Sequence, residues 1–84
     1  MANIIDIRPI GQILVRSLTQ KYRGDIDTAR ANVEVYLTSP VGIGEHPDLV
    51  SAIDSQLQII AEAKDKLEEA QRIEAKYEGR ITSG

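Results

Sequence analysis

The segment S-P-V-G-I-G-E-H-P at residues 39–47 decides the predicted fold, because it separates two long amphipathic stretches of the chain. Pro40 disfavours helical geometry at the residue before it, and Gly42 and Gly44 permit a tight reversal of the backbone. Pro47 suits the first position of a new helix, where its missing N–H would have had no partner. The segment therefore predicts a loop at 39–47 between two helices.

The stretch after this loop has the periodicity of one amphipathic helix over 47–78. Its apolar residues recur every three or four positions with a mean step close to 3.5, as in a coiled coil. They are Leu49, Ile53, Leu57, Ile60, Ala63, Leu67, Ala70, Ile73 and Tyr77. Gly79 is suited to a left-handed cap, so the helix is predicted to end before it and to leave 79–84 as a tail.

The stretch before the loop has the same spacing and predicts a helix over 10–38. Its apolar stripe consists of Val15, Leu18, Tyr22, Ile26, Ala29, Val33 and either Tyr36 or Leu37. Gly24 interrupts the pattern, and a glycine inside a helix costs about 1 kcal/mol relative to alanine. The stripe keeps its phase across Gly24, which favours one helix, bent there, over two helices broken there. Residues 1–9 are predicted to be extended or flexible.

Composition limits the classes of protein to which the chain can belong. Eighty-four residues predict a single domain, 1–84, with a marginal core. The chain has no cysteine to form a disulfide or a thiolate metal site, and three tyrosines are its only aromatic residues. Its start lacks the pattern of a signal peptide, and no stretch reaches membrane-spanning length. The net charge of −3 offers no general basic face, so neither a nucleic acid nor a membrane is predicted as a partner.

The predicted fold is therefore all-α: an antiparallel, coiled-coil-like helical hairpin. Apolar residues beside each stripe, such as Ile13, Leu14, Val50 and Ile59, widen it beyond what a two-helix hairpin can cover. Uncovered apolar strips mark association surfaces, so we expect a homodimeric four-helix bundle, or a hairpin docked on another protein. Candidate interaction residues, on the helices and in the loop, are Leu14, Leu18, Tyr22, Val50, Ile59, Ile43 and His46.

Two candidate chemical sites lie in the loop region, and both have simpler structural interpretations. The Gly42-Ile43-Gly44 run could expose backbone N–H groups to a phosphate, but no Walker lysine follows and no strand precedes it. Glu45, His46 and Asp48 gather two carboxylates with the only histidine, which is too few ligands for a metal site. The sequence therefore predicts no catalytic residue, cofactor or metal, and a small metal-binding protein or enzyme is the least favoured interpretation.

The stretch around residues 29–67 resembles small uncharacterised helical proteins of large tailed bacteriophages, cyanophages among them. The resemblance lies in the N-V-x-V-Y-L run that begins at Asn32 and in the P-x-G-I-G-E-H-P-D loop that begins at Pro40. It covers about half of the chain and carries no residue roles. It implies an accessory protein that acts in the cytoplasm of a bacterial host.

The functional expectation is a non-enzymatic protein–protein interaction module that binds and modulates a host or phage protein. The alternative is a structural component of a virion or another large assembly. A discrete oligomer in isolation would favour the first, and co-purification with particles would favour the second.

Overall fold

The computed structural model describes residues 8–38 and 46–82, and two helices account for them. Helix α1 is Arg8–Thr38, with 31 residues, and helix α2 is His46–Thr82, with 37 residues. The helices pack antiparallel, since Gly11 near the start of α1 lies against Tyr77 near the end of α2. The predicted all-α helical hairpin is confirmed.

Helix α1 is continuous through Gly24, as the unbroken phase of the apolar stripe favoured. It begins at Arg8, two residues before the predicted start, and includes Pro9. A proline is tolerated there because the N–H groups of a helix's first turn have no intrahelical acceptor. The remaining part of the predicted N-terminal segment, 1–7, lies outside the described residues, as do positions 39–45 of the predicted loop.

Helix α2 is longer than predicted at its C-terminal end. The prediction ended the helix before Gly79 and assigned 79–84 to a tail, whereas the helix continues through Gly79 to Thr82. A glycine allows a left-handed cap but does not impose one. Its cost inside a helix is only about 1 kcal/mol, and Ile81 continues the apolar spacing four residues after Tyr77.

The core is a narrow seam between the two helices. The buried side chains in the described part of the chain are four apolar ones and one threonine, namely Ile26, Ala29, Ala63, Ala70 and Thr19. The small alanines allow close approach of the helix axes. Thr19 is 2% exposed, and its hydroxyl donates a hydrogen bond to the Arg16 carbonyl oxygen at 2.8 Å.

The predicted apolar stripes are wrong at three positions, Leu18 in α1 and Leu57 and Ile73 in α2, whose side chains are exposed. Leu57 is 51% exposed, whereas the adjacent Gln56 is half-buried and faces α1. There its side-chain oxygen accepts a hydrogen bond of 3.0 Å from the Asn32 amide. A seven-residue spacing explains the shift, because Gln56 lies seven residues before the buried Ala63 and Leu57 lies seven before the exposed Lys64.

The hairpin is long and thin. Its principal extents are 68 × 25 × 16 Å, and its radius of gyration is 19.1 Å. A compact domain of this length has a radius of gyration of about 12 Å. Two helices side by side form a single layer, so each helix has one neighbour and keeps most of its circumference open to solvent.

Candidate protein-interaction surface

Large apolar side chains remain exposed along both helices. Those that are at least 39% exposed are Ile10, Ile13, Leu14, Leu18, Val35, Leu37, Val50, Leu57, Ile59 and Ile73. Single exposed apolar residues are ordinary on protein surfaces. What matters for function is therefore which of these ten residues lie together.

One flank of the hairpin carries an open groove between the two helices, which we name the apolar groove. It is lined by Leu18, Tyr22, Lys66, Glu69, Ala70 and Ile73. Leu18 and Ile73 come from opposite helices and are 43% and 39% exposed. Together they form an apolar patch that the hairpin covers only partly.

Charged groups lie beside this patch with balanced sign. The Lys66 ammonium lies 5.9 Å from the centroid of the Tyr22 ring, a distance at which cation–π attraction is weak but favourable. Lys21 pairs with Asp25 at 3.0 Å, one turn further along α1. With Glu69 in its lining, the apolar groove carries one cation and one anion, so it has no net charge that would repel a copy of itself.

The other flank carries a groove of different character, the basic groove. Its lining consists of Arg23, Ile26, Asp27, Arg30, Lys64 and Leu67. Its own lining holds three cations and one carboxylate. The adjoining hollow of this flank shares Lys64 and Leu67 and adds the carboxylates of Asp65 and Glu68. The flank therefore carries charged groups of both signs, and covering them with a second copy would remove them from water at a cost.

The seven-residue repeat assigns three further exposed residues of α2 to these two flanks. Ile59 lies seven residues before Lys66 and fourteen before Ile73, so it shares the side of the apolar groove. Val50 and Leu57 lie fourteen and seven residues before Lys64, so they belong to the side of the basic groove.

The structure therefore divides the predicted interaction residues. Leu18, Tyr22 and Ile59 lie on the flank of the apolar groove, and Leu14, which is 60% exposed, lies one turn before Leu18. Val50, which is 67% exposed, lies on the opposite flank. Their role in binding stays a prediction.

The two predicted loop contacts cannot be placed in the same way. Ile43 lies outside the described residues, and His46 is described only as the first residue of α2. Across the residues that the structure describes, no cluster of three His, Cys, Asp or Glu side chains is arranged to hold a metal ion.

Sequence reasoning missed the acidic and basic side chains of the apolar groove, Lys66 and Glu69, and assigned Ile73 to the core. A signal for them was present in the sequence, because Ile59, Lys66 and Ile73 repeat every seven residues beside the line of Ala63 and Ala70. The repeat can be assigned to a flank only when it is known that Ala63 and Ala70 lie at the centre of the seam.

Neither of the two described helices has an apolar stretch that could cross a bilayer. Comparisons of the chain with models of protein families, with curated proteins and with solved structures find no match. The surface geometry is therefore the basis for a functional proposal.

Proposed function

We propose that this protein is a non-catalytic protein–protein interaction module that assembles as a homodimeric four-helix bundle. The observation that carries the proposal is the apolar surface that the two helices leave open. Ten large apolar side chains of the described residues are at least 39% exposed, and Leu18 and Ile73 lie together in the apolar groove. Exposed apolar patches of this kind mark sites of association.

The kind of surface supports the same proposal. Helices with a half-covered apolar stripe gain stability when a second layer of helices covers it, as in four-helix bundles. The resemblance to phage proteins supports a role as an accessory protein in the cytoplasm of an infected bacterium. In that role the dimer would be the unit that binds and modulates a host or phage protein.

Light scattering after size exclusion, over a hundredfold range of protein concentration, tests the homodimer. We expect a mass close to twice 9.3 kDa at every concentration. A mass of one chain throughout would contradict self-association and indicate that a different protein covers the stripe. A mass that grows steadily with concentration would contradict a closed dimer and favour the alternative of an extended assembly.

A further inference from the structure

We infer that a second copy of this chain covers the apolar groove and that the two hairpins lie parallel, with their α1–α2 connections at the same end. This inference rests on the proposed homodimer and specifies its surface and its orientation. It follows from the charges of the two flanks and from the heights of residues along the hairpin.

The first step selects the flank. A symmetric dimer brings the same surface of both copies together. Charged groups on that surface therefore lose water and face the same groups of the second copy, so a surface with few charged groups is favoured. Four of the six residues that line the apolar groove are apolar, whereas four of the six that line the basic groove are charged. The second copy therefore fits the flank of the apolar groove.

The second step determines which residues of α1 and α2 lie at the same height along the long axis of the hairpin. We call such a height a level. The hydrogen bond between Asn32 and Gln56 fixes one level, and the contact between Gly11 and Tyr77 fixes another. In both pairs the two residue numbers add to 88. Two residues of α1 and α2 whose numbers add to 88 therefore lie at the same height along the hairpin. By this rule Leu18 and Ile73 lie within one helical turn of each other in height, and so do Asp25 and Lys66.

The third step compares the two orientations of the second copy. A two-fold axis parallel to the helices leaves the height of every residue unchanged, so each level of one copy faces the same level of the second copy. This axis also places α1 over α2 of the second copy. Leu18 then meets Ile73 of the second copy, and Asp25 meets Lys66 of the second copy. Apolar surface covers apolar surface, and opposite charges face each other.

The opposite orientation matches the levels poorly. A two-fold axis perpendicular to the helices, through the middle of the hairpin, reverses the second copy end to end. The level of Leu18 and Ile73 then faces a level close to that of Asn32 and Gln56 in the second copy. The apolar patch would then cover a pair of amides that already bond to each other, and polar groups that lose water without gaining partners destabilise an interface.

A pair of matched leucine variants tests the flank. Leu18→Glu places a charge on the apolar groove, and Leu57→Glu places the same charge on the opposite flank at similar exposure, 43% against 51%. By light scattering we expect Leu18→Glu to be monomeric and Leu57→Glu to remain a dimer. Circular dichroism of both variants checks that the helices persist.

The outcomes separate this inference from the proposed homodimer. A monomeric wild-type protein would contradict the homodimer itself. A dimeric wild-type protein whose Leu18→Glu variant is also dimeric, or whose two variants are both monomeric, would contradict only the choice of the apolar groove.

A single spin label tests the orientation without altering the groove. The chain has no cysteine, so Ser51→Cys, at an exposed position near the start of α2, provides one labelling site per copy. Parallel hairpins place the two labels across the bundle, about 25 Å apart or less. Antiparallel hairpins place them about 40 Å apart, from the rise of 1.5 Å per residue. A distance near 40 Å by pulsed electron resonance would overturn the parallel orientation, even if Leu18→Glu fails to fold.

Discussion

Two glycines of α1 have opposite surroundings. A Cβ atom added at Gly24 would meet nothing within 4 Å, whereas one added at Gly11 would lie 3.1 Å from the Tyr77 hydroxyl oxygen and 3.4 Å from its Cζ atom. Gly11 therefore has a packing role at the seam. Gly24 has none in the hairpin, and its effect on stability is that of a glycine in an exposed helix.

Gly24→Ala is expected to raise the free energy of unfolding by about 0.5–1 kcal/mol, because alanine restricts the unfolded chain and fits the helix without a clash. Urea unfolding followed by circular dichroism measures the change. Gly11→Ala is the matched control and should gain less, since the Tyr77 ring must move by a few tenths of an ångström. An equal gain at both positions would show that the ring moves freely.

Thr19 shows how a residue can lie in the core without an apolar signal. It lies seven residues before Ile26 and on the same helix face, yet the sequence pattern omits it because a threonine breaks the apolar series. Its hydroxyl bonds to the Arg16 carbonyl oxygen within its own helix, which leaves its methyl group for the seam. Local satisfaction of a polar group is what allows this burial.

At the scale of the helices, the Asn32–Gln56 hydrogen bond is a polar contact that helps to fix how α1 and α2 align. The apolar stripes alone would tolerate a shift of one helix along the other, since alanine, leucine and isoleucine recur along both. A half-buried amide pair removes that freedom, because a shifted register leaves both amides without a partner.

A double-mutant cycle with Asn32→Ala, Gln56→Ala and the combined variant measures this contact. We expect a coupling free energy of about 0.5–1.5 kcal/mol. Each single substitution leaves the other amide without its partner, so the second substitution lowers the free energy of unfolding by less than it does alone. Urea unfolding at one fixed protein concentration provides the four stabilities. Effects that add to within about 0.3 kcal/mol would show that the hydrogen bond does not couple the helices.

The sequence predicts helices better than their ends. The period of about 3.5 identified both helices and the continuity of α1, because an amphipathic stripe depends only on local spacing. The C-terminal bound of α2 was wrong, since Gly79 permits either a cap or a further turn. The sequence pattern also misses the exposure of Leu18, Leu57 and Ile73, because a step of three or four leaves two adjacent positions nearly equivalent until the partner helix selects one.

At the scale of the whole molecule, the thin seam makes stability depend on association. If the homodimer covers the apolar groove, unfolding also separates the two copies, so the melting temperature rises with protein concentration. Each tenfold increase contributes about 1.4 kcal/mol, which corresponds to about 3–5 °C for a unit of this size.

Melting curves by circular dichroism over a hundredfold concentration range check this expectation. The Leu18→Glu variant is the control, and it should melt at a lower temperature that does not change with concentration. A wild-type melting temperature that is constant over the whole range would show that the hairpin unfolds as a single chain.

The sequence by itself determined the helical hairpin, the site of the chain reversal and the excess of apolar surface, because these follow from local spacing, from proline and glycine chemistry and from composition. The tertiary structure decided which residues fill the seam and which flank of the hairpin remains apolar. The physical reason is that the rotation of each helix about its own axis determines which of its residues face the seam and which lie on either flank. That rotation is set by contacts between distant residues such as Gly11 with Tyr77 and Asn32 with Gln56.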